Sequence, residues 1–221
     1  MNREQLLRAV KAATIITEES AIIVIGSQSI LGTWDETVLP EEAVQSMEVD
    51  MCPLDDDDSE RLANRLDEHV GYGSDFSAKY GFYIDGVGKN TAILPDGWDS
   101  RLAEVGEPGS LGLCLDPHDL CVAKMVANRD KDRVFVTALV AAGLIDSGTL
   151  FDRLAQTELT TDQRVIAEDF AGWLAGQEPS RPARSASETP RVSDADREVR
   201  AHVRGGVPIR SYRQQNGNRR R

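Results

Sequence analysis

Apolar residues recur along the first half of the chain with two alternating periods. Leu6, Leu7, Val10 and Ala13 follow a helical spacing, so residues 2–14 predict an amphipathic opening helix. Ala21–Ile25 is a short β-branched run that predicts a buried central strand, ended by Gly26. Ser27–Gly32 predicts a turn entering a short helix, and 33–46 a loop with one helical turn near Glu41–Val44. Ser46–Cys52 alternates again and predicts a second strand stopped by Pro53. Acids at 55–58 precede an evident helix at Glu60–Leu66 and suit its amino terminus. Strands are expected at Tyr80–Asp85 and Thr91–Leu94, joined through Gly86, Gly88 and Asn90 as a hairpin. A short helix at Asp99–Val105 and a last strand at Leu111–Leu115 follow.

The pattern then becomes wholly helical. Asp116 and Pro117 are N-cap and first-turn residues of a helix reaching Asn128. Val134–Leu144 reads as apolar nearly all round and so buried. Helices near 147–156 and 161–175 follow, with Ser147 and Thr161 as caps. The fold class expected is α/β: a mixed sheet flanked by helices (1–115), a helical region packed on it (116–176), and a tail (177–221). That tail is rich in Arg, Pro and Ser and has little to bury, which predicts disorder with one transient helix at Asp194–Val203.

Charge sharpens this division. The formal net charge is −12, yet residues 178–221 hold eleven arginines against five acids, a balance of +6, which leaves −18 on the first 177 residues. An acidic body repels nucleic-acid backbones on average, whereas an arginine-rich segment attracts anions. No apolar run approaches the ~20 residues of a membrane span, so no membrane partner is expected. The amino terminus lacks signal-peptide features, and the expected compartment is the cytoplasm. Cys114, His118 and Cys121 sit at a spacing that invites zinc, but no second ligand pair accompanies them and their surroundings are apolar, which favours buried thiols.

Two stretches carry candidate chemistry. On a strand, Glu48 and Asp50 leave the same face, with Val49 and Met51 opposite. Neighbouring carboxylates repel unless a cation lies between them, and oxygen ligands suit Mg²⁺. The alternative is a strand with an ordinary polar face. Gly26-Ser27 fits neither the P-loop nor the dinucleotide fingerprint. Each feature alone is ordinary.

Their order carries more. Strand, Gly-Ser, helix, then a strand with Glu-x-Asp resembles the signature of the nucleotidyltransferase superfamily. A second stretch, Leu115-Asp116-Pro117-His118-Asp119-Leu120 through Lys124 and on to Arg129-Asp130-Lys131-Asp132, is similar to the helical signature of nucleotidyltransferase-like toxins and abortive-infection proteins. The fit is to an uncharacterised bacterial branch. This resemblance implies that Gly26 and Ser27 hold a nucleoside triphosphate, that Glu48 and Asp50 bind Mg²⁺ or Mn²⁺, and that a later acid completes the site, with Asp85 the candidate. Lys124 and Lys131 would neutralise phosphate charge. The implied activity is nucleotidyl transfer from an NTP to a protein or RNA acceptor, with a toxin role and an antitoxin partner. The alternative is an inactive nucleotide-binding or protein-interaction module that keeps the fold. One departure stands out: twenty residues separate Ser27 from Glu48, a long gap for this superfamily.

Overall fold

A computed structural model describes residues 1–56 and 60–177. The acids Asp57 and Asp58, and the expectations for the tail from 178 onward, lie outside the described residues. The fold is α/β, a five-stranded mixed sheet with helices packed around it, as the alternating periods imply.

The opening helix, α1 (Arg3–Thr17), is held at its start by a capping box between Asn2 and Gln5, and it buries Leu6, Ala9, Val10 and Ala13. It lies against the sheet with α3 (Arg61–Val70) beside it. Strand β1 (Ala21–Val24) is buried throughout and sits at the centre of the order β3-β2-β1-β5-β4. It pairs antiparallel with β2 (Glu48–Pro53) and parallel with β5 (Ser110–Cys114). Beyond β2 lies β3 (Tyr83–Gly86), parallel to it. A six-residue 3-10 helix, Ser27–Gly32, links β1 to the loop that carries α2 (Glu41–Val44). The helices α5 (Pro117–Ala127), α6 (Asp130–Ala141), α7 (Ser147–Ala155) and α8 (Thr161–Gln177) pack on one another, α5 meeting the 3-10 helix and α6 meeting α2. Among the described residues, no helix is long and apolar enough to cross a membrane.

Several elements depart from the sequence pattern. Thr91–Leu94 forms no strand. The chain leaving β3 is drawn down onto α3 instead: Val87 N donates to Met51 O at 3.0 Å, the Lys89 ammonium reaches Asp56 O, and a Cβ on Gly86 would sit 2.0 Å from Ala63 O. The expected helix at Asp99–Val105 shrinks to a 3-10 turn at Trp98–Ser100. The open edge of β5 captures the following residues as β4 (Ala103–Glu107), so the hairpin lies here, turned through Gly106 (φ 100°) and Gly109 (φ 88°). A helix α4 (Asp75–Tyr80), capped by Ser74, precedes a β3 that begins only at Tyr83. Pro53 does not stop β2; it pairs with Ile22 at the strand's end. Helix α6 starts at Asp130 and is buried on one side only, leaving Val134 54% exposed. The caps of the last two helices sit one residue earlier than expected: the Asp146 carboxylate accepts from Thr149 N, and the Thr160 hydroxyl accepts from Gln163 N. Asp56 caps α3 through Leu62 N and Ala63 N, at 3.0 and 2.8 Å.

Candidate functional site

The site forms where β1 ends, and each of its parts is set by strand pairing. Ile25 N donates to Asp50 O at 3.0 Å, which fixes the Gly26 turn beside the acid pair in spite of the long intervening loop. Gly26 has an ordinary extended backbone (φ −79°), so its lack of a side chain matters for space. A Cβ there would lie 1.5 Å from Asp50 Oδ2. Glycine at this position lets a carboxylate lie directly on the turn.

Strand pitch places Glu48 and Asp50 on one face of β2, while Val49 and Met51 are fully buried opposite. The parallel register sets Tyr83 beside Glu48 and Asp85 beside Asp50. The two strands thus form one row of oxygen groups. Glu48, Asp50 and Asp85 each offer a carboxylate oxygen, and these atoms all lie within 4.8 Å of one another. Tyr83 was not among the residues expected. Its hydroxyl donates to Glu48 Oε2 at 3.0 Å and orients that carboxylate. The two-residue spacing from Asp85 was the signal that places Tyr83 on the same face.

The electrostatics follow from this crowding. Burial first, and then the negative charges of Glu48 and Asp85, raise the Asp50 carboxyl to about 6 against the opposing charge of Lys124. Burial also raises Asp85, with Asp67 and Glu48 adding to the effect. The Tyr83 phenol is pushed up to about 12 by burial and by its bond to the Glu48 carboxylate. An acid row in which Asp50 and Asp85 both resist ionisation fits a hard divalent cation, whose charge would relieve the repulsion.

The opposite wall is cationic and comes from α5 and α6. Lys124 is 6% exposed, and its ammonium donates to Ser27 Oγ at 2.8 Å and to Asp132 Oδ1 at 2.9 Å. It also lies 4.5 Å from the centre of the Phe135 ring. Arg129 Nε donates to Asp132 Oδ2 at 2.6 Å. Burial alone would raise the fully buried Asp132, but the bonds from Arg129 and Lys124 hold its carboxyl below the usual range. One acid therefore fixes two cations. Between the walls lies a cleft of about 320 Å³ that takes in Gly26, Ser27, Glu48, Asp50, Lys124, Arg129 and Lys131. Its apolar lining includes Leu120, Ala123, Val126 and Ile93. Thr91–Ile93, expected in a strand, instead form part of this wall. The segment's far side is tied down by Arg101, which donates to Asp96 O and, in bidentate fashion, to the fully buried Asp119.

The seven residues that the family resemblance implies for the site fall at this place: Gly26, Ser27, Glu48, Asp50, Lys124 and Lys131 line the cleft, and Asp85 joins the acid row through β3. His118 does not. Its Nε2 accepts from Asp146 N at 3.2 Å and ties α5 to the start of α7. Cys114 and Cys121 are buried free thiols raised to about 12 by burial.

No curated protein and no solved structure matches the chain. Residues 4–172, which contain the sheet, the acid row and the lysine-bearing helix, match the family described as nucleotidyltransferase of unknown function (DUF6036), and the chain belongs to that family.

Proposed function

We propose that the chain is a metal-dependent enzyme that transfers a nucleotidyl group from a nucleoside triphosphate to a hydroxyl acceptor on protein or RNA. The observation that carries this reading is the convergence of Glu48, Asp50 and Asp85 within 4.8 Å at the edge of a cleft whose other wall bears lysines. The three carboxylates would hold Mg²⁺ or Mn²⁺. Such an ion, when bound, supplies positive charge that polarises a phosphoryl group and acidifies an acceptor hydroxyl.

The chain's own residues do the rest. Gly26 lets the Asp50 carboxylate lie directly on the turn, and Ser27 beside it binds phosphate oxygens with its hydroxyl. Lys124 arrives pre-oriented by Asp132 and offsets the negative charge of the triphosphate, a task Lys131 shares. Positioning by groups already held in place costs no reorganisation during the reaction. Tyr83 keeps Glu48 in one orientation. Asp85, set opposite Asp50 by the parallel pairing of β3 with β2, completes the oxygen set. The apolar face of Leu120, Ala123, Val126 and Ile93 receives the base and excludes water. A toxin role with a cognate antitoxin belongs to this reading as the setting in which such an activity would act.

The test incubates purified protein with each labelled triphosphate, Mg²⁺ or Mn²⁺, and cell extract. Labelled product with the wild type and none with Asp50→Ala is expected. Equal product from both, or none from either, sinks the catalytic reading and leaves a nucleotide-binding or interaction module.

A further inference from the structure

The acid row has two sides. Glu48 and Asp50 line the cleft, whereas Asp85 and Tyr83 continue the row on β3, the outermost strand. Near that outer end stands Tyr72, in the turn between α3 and α4. It is 86% exposed, and its ring meets Tyr83 edge-on with centroids 5.4 Å apart. Asp67 lies there too, its carboxylate accepting from Gly86 N, the residue after Asp85, at 2.7 Å. The outer end of the acid row is thus acidic and aromatic, and it lies beside the cleft lining and not within it.

The chemistry of that side selects the acceptor. A nucleic-acid end would bring phosphates against Asp67, Asp85 and Glu48 on a body of −18. A cationic peptide meets complementary charge, and an exposed tyrosine offers its ring to arginine. The chain itself contains such a peptide. Arg210-Ser211-Tyr212-Arg213 sets two hydroxyls between arginines within a segment of net charge +6. Length permits the return. Gln163 lines the cleft, and from there α8 runs to Gln177, an advance of ~21 Å. The residues between Gln177 and Ser211 can span at most ~120 Å.

Building on the nucleotidyl-transfer reading above, we propose that the chain modifies itself, transferring a nucleotidyl group to Ser211 or Tyr212 of its own arginine-rich segment. The hydroxyl oxygen attacks the α-phosphorus of the triphosphate. A new P–O bond forms, the bond from that phosphorus to the α–β bridging oxygen breaks, and pyrophosphate leaves with the bond's electrons. The hydroxyl proton passes to solvent water. Nothing is oxidised or reduced. Each transfer replaces a neutral hydroxyl with a phosphodiester of charge −1, which weakens the attraction that brought the segment in and favours its release.

The experiment incubates the full chain with labelled triphosphates and Mn²⁺, with and without cell extract, and maps the label by peptide mass spectrometry. Label on the Arg210–Arg213 peptide is expected. It should vanish in Ser211→Ala/Tyr212→Phe and in Asp50→Asn, and fall about tenfold in Arg210→Gln/Arg213→Gln. Label on extract components alone, or at other residues of the chain, overturns self-modification at this segment while nucleotidyl transfer stands. Label lost in Asp50→Asn but retained in Ser211→Ala/Tyr212→Phe does the same. No label on any acceptor overturns both readings.

Discussion

Gly26 and Asp50 occupy one another's space: a single methyl group on the turn would fall 1.5 Å from the Asp50 carboxylate oxygen. Gly26→Ala therefore forces Asp50 out of the acid row. Misplacing one metal-binding group by about an ångström costs on the order of 100-fold in activity. The expected result is loss of Mn²⁺ binding by calorimetry together with at least that loss of labelled product. Normal Mn²⁺ affinity in the variant would contradict the geometry.

Asp50 also predicts a pH dependence. Its folded-state carboxyl titrates near 6, above the ordinary 3.8, so the folded chain holds this proton more tightly than the unfolded chain. The stabilisation is present at low pH and is lost as pH rises through about 6. In chelator, Asp50→Asn should melt above the wild type at pH 7, and the gap should narrow toward pH 5. Its ceiling is about 3 kcal/mol, the energy of a shift of roughly two pH units. Saturating Mn²⁺ should close or reverse the gap at pH 7. A gap that is constant with pH would refute the assignment.

Asp132 is fully buried and bonded to both Lys124 and Arg129. Asp132→Ala leaves the buried ammonium without its counter-charge, a change that costs about 3–5 kcal/mol. Denaturant titration should show that loss. Arg129→Ala, whose side chain is 60% exposed, should cost under about 1 kcal/mol because Lys124 still satisfies the acid.

Tyr83→Phe removes the donor that orients Glu48 and little else. Loss of such a supporting bond lowers metal affinity or activity about tenfold. Stability should change by no more than about 1 kcal/mol, since the phenol is only half-buried. An unchanged Mn²⁺ titration would show that Glu48 needs no such support.

The sequence disclosed what depends on local rules. Period two put Glu48 and Asp50 together, β-branching marked β1, and Asp116-Pro117 marked the start of α5. It concealed what depends on which strand finds which neighbour. Leu102 and Val105 have a helical separation, yet Ala103–Glu107 is captured by the open edge of β5. Thr91 and Ile93 look like strand residues, but the chain leaving β3 is held by Met51 O and Asp56 O, and they become part of a wall of the cleft. Asp85 belongs to the acid row only because β3 pairs parallel to β2 with Asp85 opposite Asp50, a register no spacing rule states. Asp132 sits beside Lys124 only because α6 folds back on α5.

The bond from Ile25 N to Asp50 O also bears on how such a protein can vary. It makes the separation of the glycine turn and the acids independent of how much chain runs between them. The exposed stretch at Thr37 and Val38 can then vary without moving the carboxylates, while Leu39 and Ala43 keep the rest of the segment anchored in the core. That stretch is a place where evolution, or a designer grafting a new loop, can change the surface while the acid row keeps its dimensions.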